Sequence, residues 1–399
     1  MDIQKQEALA MAFGIHKLRR APDEPIAFSK PNQRFVPIPS KFKKPKGDLN
    51  ISLSDIVNPA VITRINAAGK IIFHTVGDTG GIHDDAAVQS SLAAIMEKQI
   101  TGAQDHDKPS FFYHLGDVVY FNGLTADYPT QFDEPYKYYP AVIMAVPGNH
   151  DGQINVSKGD PPDKELSLQG FMENFCDSQQ RFSRFSSYRK TMNQPWPYWV
   201  LNAPFITFIG LYSNIDGSLD DINDSTQYEW LVSQLKKAPA DKCLVITIHH
   251  PPYSLDTAHG GYHLIGNKLD AAFAEAGRLP NIVFSGHVHN YQRFTRVKNG
   301  KDIVYSVSGA GGYANTARIM HKIFEDPKTH KLIKTPFKTK DKEVTLAKYN
   351  ETNPGFLRIS VDKTFLTGEY FIDNFDGSTP PSKPFDSFKM DWTKHKVIK

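Results

Sequence analysis

The chain has 399 residues, 40% hydrophobic and 12% aromatic, which is enough for one large core or two domains. Its 46 basic and 43 acidic residues leave a formal net charge of +3, favouring neither a nucleic-acid surface nor an acidic partner. No apolar run reaches the length that spans a bilayer, and two distant cysteines, Cys176 and Cys243, give no disulfide framework.

The first segment, Met1 to Arg20, carries an apolar patch at Ala8–Phe13 that follows Asp2 and Glu7 rather than a basic stretch. This is not the pattern of a secretory signal, so a cytoplasmic chain is expected. Prolines and Lys41, Lys43, Lys44 and Lys46 mark residues 21–48 as an extended arm. We therefore read 1–48 as an N-terminal helix and basic, proline-rich arm, and 49–399 as a single domain.

The first buried strand is Ile71–Val76, which leads into Gly77-Asp78-Thr79-Gly80. His74 lies inside it and reads as a core histidine. Asp85 is placed to cap a helix with Val88, Leu92 and Ile95 on one face, while His83, Asp84 and Asp85 suit either the site or a solvated helix start. Phe111–Leu115 is the next strand, with His114 inside it and Gly116-Asp117-Val118-Val119-Tyr120 beyond. Residues 124–140 and 152–200 are long and aromatic-rich, serving as walls over a site or as packing anchors. Between them, Val142–Val146 leads into Gly148-Asn149-His150-Asp151.

Thr226 and Glu229 read as a capping box before Trp230, Leu231 and Leu235. Leu244–Ile248 then leads into His249 and His250, with His259 and His263 in the following loop. Leu269, Phe273 and Ala276 form a helical stripe stopped by Gly277. Ile282–Ser285 leads into Gly286-His287-Val288-His289. Arg293 follows as a structural ion-pair residue, and Ser308–Gly312 reads as a strand-end turn, since it lacks the lysine of a P-loop. Residues 321–399 read as closing β-strands.

Turn chemistry explains a Gly-Asp pair. It does not explain histidines and a tyrosine at the same ends of successive apolar strands. Strands buried on both faces gather their carboxyl ends along one edge, where sites form in α/β sheets. Glycines before the ligands supply the backbone angles that sharp exits need. The ligand set of carboxylate, amide oxygen, phenol and imidazole, without thiolate, suits hard to borderline metal ions. Asp117 can be shared by two of them.

These motifs resemble the calcineurin-like metallophosphoesterases, and within them the purple acid phosphatases. That pattern reads Asp-x-Gly, Gly-Asp-x-x-Tyr, Gly-Asn-His-(Asp/Glu), Val-x-x-His and Gly-His-x-His. It is met from Asp78 to His289, with Ile246 in place of the valine. Most metallophosphoesterases carry a histidine where Gly80 stands, and the resemblance implies that Tyr120 would supply the replacement ligand. The resemblance implies an α/β fold, a four-layer α/β/β/α sandwich with two packed mixed sheets. The short form is expected, since the residues before Ile71 leave no room for the β-sandwich domain of plant-type members. Asp78, Tyr120 and His289 would bind Fe(III), and Asn149, His249 and His287 a divalent Zn, Fe or Mn, with Asp117 bridging. The implied reaction is acid phosphatase chemistry, the in-line attack of a metal-bound hydroxide on a small phosphate ester. His150 would assist as acid or hydrogen-bond donor, Asp151 would orient it or finish a turn, and His259 would face the substrate. No nucleic acid or membrane is expected as partner, and the oligomeric state is open. A phosphodiesterase on the same scaffold and a non-hydrolytic iron-binding or redox protein are the alternatives.

Overall fold

The computed structural model describes residues 38–81, 87–153, 165–183, 186–215, 217–219, 226–313, 320–326, 331–374 and 382–398. The arm before residue 38 and the proposed cap around His83, Asp84 and Asp85 lie outside the described residues.

In chain order the strands open with β1 (Asn50–Ser52), β2 (Lys70–Val76), β3 (Phe111–His114) and β4 (Val142–Ala145). A small ribbon of β5 (Phe182–Ser183) and β6 (Ser186–Lys190) follows. Next come β7 (Trp199–Ala203), β8 (Ile206–Leu211), β9 (Cys243–Ile248) and β10 (Ile282–Ser285). Then come β11 (Tyr291–Lys298), β12 (Lys301–Ser308), β13 (Phe337–Lys338) and β14 (Val344–Asn350). The last are β15 (Gly355–Asp362), β16 (Phe365–Ile372), β17 (Asp386–Asp391) and β18 (Lys396–Ile398). The longer helices are α1 (Pro59–Ala68), α2 (Ala87–Thr101), α3 (Gln169–Phe175), α4 (Thr226–Lys237) and α5 (His263–Ala276).

Two mixed sheets carry the core. One has nine strands in the order β1-β7-β8-β9-β10-β12-β11-β14-β13, the other seven in the order β18-β17-β16-β15-β2-β3-β4. Within them β8, β9, β10 and β12 run parallel, as do β2, β3 and β4. Their carboxyl ends therefore lie side by side. Aromatic rings lock the sheets face to face: Phe73 stacks on Phe111 at 5.0 Å and meets Phe208 edge-on at 5.1 Å. Tyr113 lies between Phe208 and Trp199, and its hydroxyl accepts from Thr247 across the interface at 3.1 Å. Such rings bury large areas and fix the spacing between layers.

Helices cover the outer faces. The N-terminal cap of α1 is Asn58, whose Oδ1 accepts from Ala60 N at 3.0 Å, with Pro59 at the first position and left-handed Gly69 as the stop. Gln99 of α2 reaches His74 of β2 at 3.1 Å. Leu269 and Phe273 bury the expected stripe of α5, which ends at left-handed Gly277. The architecture is the expected α/β/β/α sandwich. Among the described residues no helix is long and apolar enough to cross a membrane.

The aromatic loops pack inward rather than forming walls over the site. Tyr128, Phe132, Tyr136, Tyr139, Trp196, Tyr198 and Trp199 are buried, and Tyr138 alone of this group is exposed, at 73%. A π-helical turn at Pro129–Asp133 folds Tyr136 back onto Phe112, ring to ring at 5.5 Å. Arg293 is structural as expected, paired through Nε and Nη2 with Asp386 at 2.7 and 3.0 Å. The strands after residue 337 complete both sheets.

Candidate metal centre

Asp78, Asp117 and His287 each turn out of a buried strand with positive φ, at 59°, 53° and 67°. A non-glycine residue held in this region costs about 1–3 kcal/mol and is kept only where the surroundings enforce it. Here the left-handed turn falls on the ligand itself. Of the glycines expected to supply the exit angles, only Gly116 has positive φ, at 93°. Gly148 and Gly286 are required for a different reason: a Cβ on Gly148 would collide with Asp117 Oδ1, and one on Gly286 would sit 2.5 Å from Asp78 Oδ2. Neighbouring exits approach so closely that no side chain fits between them.

The side chains converge in two groups that share one oxygen. Tyr120 Oη lies 3.1 Å from both Asp78 Oδ1 and Asp117 Oδ2, and 3.3 Å from His289 Nε2. On the other side, His249 Nε2 lies 3.2 Å from the same Asp117 Oδ2. His287 Nδ1 lies 3.0 Å from Asn149 Oδ1. Donor atoms of Asp117, His249 and His287 all fall within 4.8 Å of one another. All seven residues predicted as ligands are thus brought to one edge, and all are buried.

This donor set fits a pair of cations. His249 Nδ1–H donates to Leu115 O at 2.8 Å, which leaves Nε2 as a lone pair aimed at a carboxylate. That Nε2 is buried without a hydrogen-bond partner among the described residues. Two acceptors facing each other require a proton or a metal between them. With a proton there, burial disfavours the imidazolium, but Asp117 and Asp78 outweigh it and raise His249 to about 9. Burial pushes Asp78 above the usual carboxylate range. For Asp117 burial acts the same way, but His249 and His150 overcome it and hold that carboxyl low. Burial, then Asp117 and Asp78, push the Tyr120 hydroxyl well above its ordinary value. A phenolate at this position needs a strong cation beside it.

The coupled change at residues 80 and 120 has a steric basis. A Cβ on Gly80 would lie 2.8 Å from Tyr120 Cδ2 and 2.9 Å from Val118 O. The tyrosine ring fills the space that a side chain at 80 would need.

His150 stands beside the centre. Its backbone N–H donates to Asp117 Oδ1 at 2.8 Å, and Nδ1 donates to Phe121 O at 2.9 Å. The carbonyl of Phe121, not Asp151, orients the imidazole and leaves Nε2 free of that bond. Asp151 instead accepts from the backbone N–H groups of Val118 at 3.0 Å and Gly148 at 2.8 Å. It braces the loops that carry Asp117 and Asn149. Burial, then the neighbouring Asp117, raise its carboxyl to about 7.

His259 packs against His287, ring to ring at 4.5 Å, and burial, then His289 and His150, lower it to about 3. His250 supports the centre from behind: Nδ1 is 2.6 Å from Ser213 Oγ and the ring lies 4.3 Å from His287. The turn at Ser308–Gly312 packs under Asp78, since a Cβ on Gly309 would sit 2.8 Å from its Oδ2. His74 and His114 stay inside the sheet.

Three contributors were not read from the sequence. His321 stacks on His289 at 4.2 Å and 17°, and its Nδ1 accepts from His289 N at 3.2 Å. Tyr313 lies 4.1 Å from the Tyr120 ring, and Tyr262 Oη is 2.8 Å from His287 Nε2. None follows a strand-exit motif. A pattern search has no signal for His321, which is 32 residues beyond the ligand it supports.

Residues 73–291 match the sequence profile of the calcineurin-like phosphoesterases. Purple acid phosphatase 15 of Arabidopsis thaliana is 28% identical over 255 residues, 56% of this chain and 43% of that protein. Purple acid phosphatase 21 of the same plant is 36% identical over 96 residues, 22% of this chain and 21% of that protein. The chain thus spans less than half the length of these curated relatives. Among solved structures, the purple acid phosphatase PPD1 from yellow lupin (Lupinus luteus) seeds superposes with a TM-score of 0.53 at 18% identity, covering 81% of this chain and 54% of that one. PhoD superposes with a TM-score of 0.51 at 14% identity, covering 83% of this chain and 72% of that one. These two likenesses bear on the fold alone. With the profile spanning more than half of the sequence, the chain belongs to the calcineurin-like phosphoesterase family, and within it resembles the purple acid phosphatases.

Proposed function

We propose that this chain is a dinuclear metal-dependent phosphomonoesterase of purple acid phosphatase type. One observation carries the reading: two sets of buried donors meet on Asp117 Oδ2, with Tyr120 on one side and His249 on the other. Asp78, Tyr120 and His289 would hold Fe(III), and Asn149, His249 and His287 a divalent Zn, Fe or Mn. When bound, the ions supply positive charge for a phosphoryl group and acidify water.

The remaining work falls to the chain. Leu115 O and the Asp117 loop fix His249, so its lone pair needs no reorganisation. Phe121 O holds His150 Nδ1, which leaves Nε2 to donate to a phosphoryl oxygen or to protonate the departing alcohol. Phe121 and Tyr313 flank Tyr120 and keep water from that side. His259, kept neutral chiefly by its burial, offers a second polar contact beside His287.

Turnover of an aryl phosphate monoester against the matching diester tests the reading. We expect the monoester to be preferred by about tenfold or more, on the order of 1.4 kcal/mol of discrimination. A tenfold preference for the diester would overturn it.

A further inference from the structure

The opposite edge of the same sheets carries a second concentration of charge. A cavity of about 690 Å³ opens where the parallel strands begin, far from the metal ligands. Lys242 precedes β9, Arg278 and Asn281 precede β10, Lys301 begins β12, and Lys363 and His395 come from turns of the other sheet. Six-residue β9 separates this cavity from His249, a span of about 20 Å at the usual strand rise.

The lining is cationic. Lys242, Arg278, Lys301 and Lys363 face a single lining carboxylate, the exposed Asp241. Lys301 and Lys363 are exposed and make no ion pair with any described residue. Arg278 Nη2 donates to Pro239 O at 3.1 Å, while its buried Nε finds no acceptor among the described residues. His395 Nδ1 is likewise buried without a partner there. Asp302, a nearby carboxylate, is occupied by Lys396 Nζ at 3.3 Å and Val397 N at 2.9 Å. Cations that outnumber their counter-charges repel one another, and an anion between them relieves that. Phe205 and Trp392 add flat apolar surface, and the volume exceeds the needs of an inorganic anion while suiting a small organic ligand.

We propose that this cavity is a binding site for a small phosphorylated organic anion with a flat ring, distinct from the metal centre. Its phosphate sits among Arg278, Lys301, Lys363 and Lys242, and its ring lies against Phe205 and Trp392. The site stands independently of the phosphatase reading, because none of its residues belongs to the metal centre.

Calorimetric titration with α,β-methylene adenosine diphosphate tests it, using the metal-loaded chain and its Asp117→Ala variant. The variant holds at most one ion and a chelator strips it, so binding at the metals is lost and one equivalent should remain. Combining Asp117→Ala with Lys301→Gln and Lys363→Gln should weaken that remaining event at least tenfold. In the otherwise native chain, Lys301→Gln with Lys363→Gln should leave ester turnover unchanged. Both lysines are exposed, so the fold should persist, and circular dichroism checks it. Adenosine without phosphate should bind at least tenfold more weakly than the diphosphate. No binding to the Asp117→Ala chain, unchanged binding after the lysine substitutions, or equal binding of adenosine would each overturn the proposal. Inorganic phosphate binding as tightly as the nucleotide would overturn the role given to Phe205 and Trp392.

Discussion

His74 and His114 lie inside strands, whereas His249, His287 and His289 lie just beyond strand ends, and all five are buried. The interior pair is saturated. His74 places Nδ1 3.0 Å from Tyr139 Oη and Nε2 3.1 Å from Gln99 Oε1. His114 has Thr79 Oγ1 at 2.8 Å on Nε2, and its Nδ1 accepts from Gly116 N at 3.1 Å. The exit histidines spend one nitrogen or none on such partners and point another at Asp117, Asn149 or Asp78. Burial alone therefore does not mark a ligand. What marks it is convergence: ring nitrogens of several exits meet Asp117, Asn149 and Asp78 in one dry place.

Substitution at the shared ligand should break this contrast most severely. Asp117→Ala removes the oxygen common to both donor sets, so metal analysis should show at most one ion per chain. Ester turnover should fall by about 10³-fold or more, as loss of central electrostatic stabilisation does. His150→Ala separates chemistry from binding: metal content should stay at the wild-type level while kcat drops about 10²–10⁴-fold. Unchanged kcat would remove the role assigned to this histidine. Tyr120→Phe should abolish any visible absorption band and weaken retention of iron, at a stability change of about 1–3 kcal/mol or less, since one buried hydroxyl is lost.

On metal content and turnover the smallest effect belongs to the interior. His74 is kept neutral by burial, with its proton affinity lowered to about 3 from an ordinary 6.5. The folded state refuses a proton that the unfolded chain accepts below pH 6.5. His74 therefore contributes stability above that pH and loses it as pH falls towards 3, by at most about 1.4 kcal/mol per pH unit. His74→Gln should flatten this part of the acid unfolding curve without altering metal content. A change in metal content would place His74 with the exit histidines after all.

The ligand residues were legible because each follows an apolar, β-branched run, and parallel strands bring their ends together. The two sheets and their helices followed from the resemblance that those ligands carried. The backbone logic of the exits was not legible. Sequence suggested glycine flexibility, whereas Asp78, Asp117 and His287 take the left-handed turns and Gly148 and Gly286 permit close approach. Such contacts join segments distant in the chain, so no local pattern encodes them. The same reason hid His321, and it left Asp151 open between two uses until its backbone partners were seen. The aromatic loops stayed open between walls and anchors because composition states that rings are present, not which way they point.

Metal content with a visible spectrum, taken on the chain after reconstitution with iron and zinc, tests the central claim most directly. The account predicts two ions per chain, a visible band that disappears in Tyr120→Phe, and loss of at least one ion in Asp117→Ala. Two ions retained in Asp117→Ala, or a band unaffected by Tyr120→Phe, would contradict a centre built on these residues.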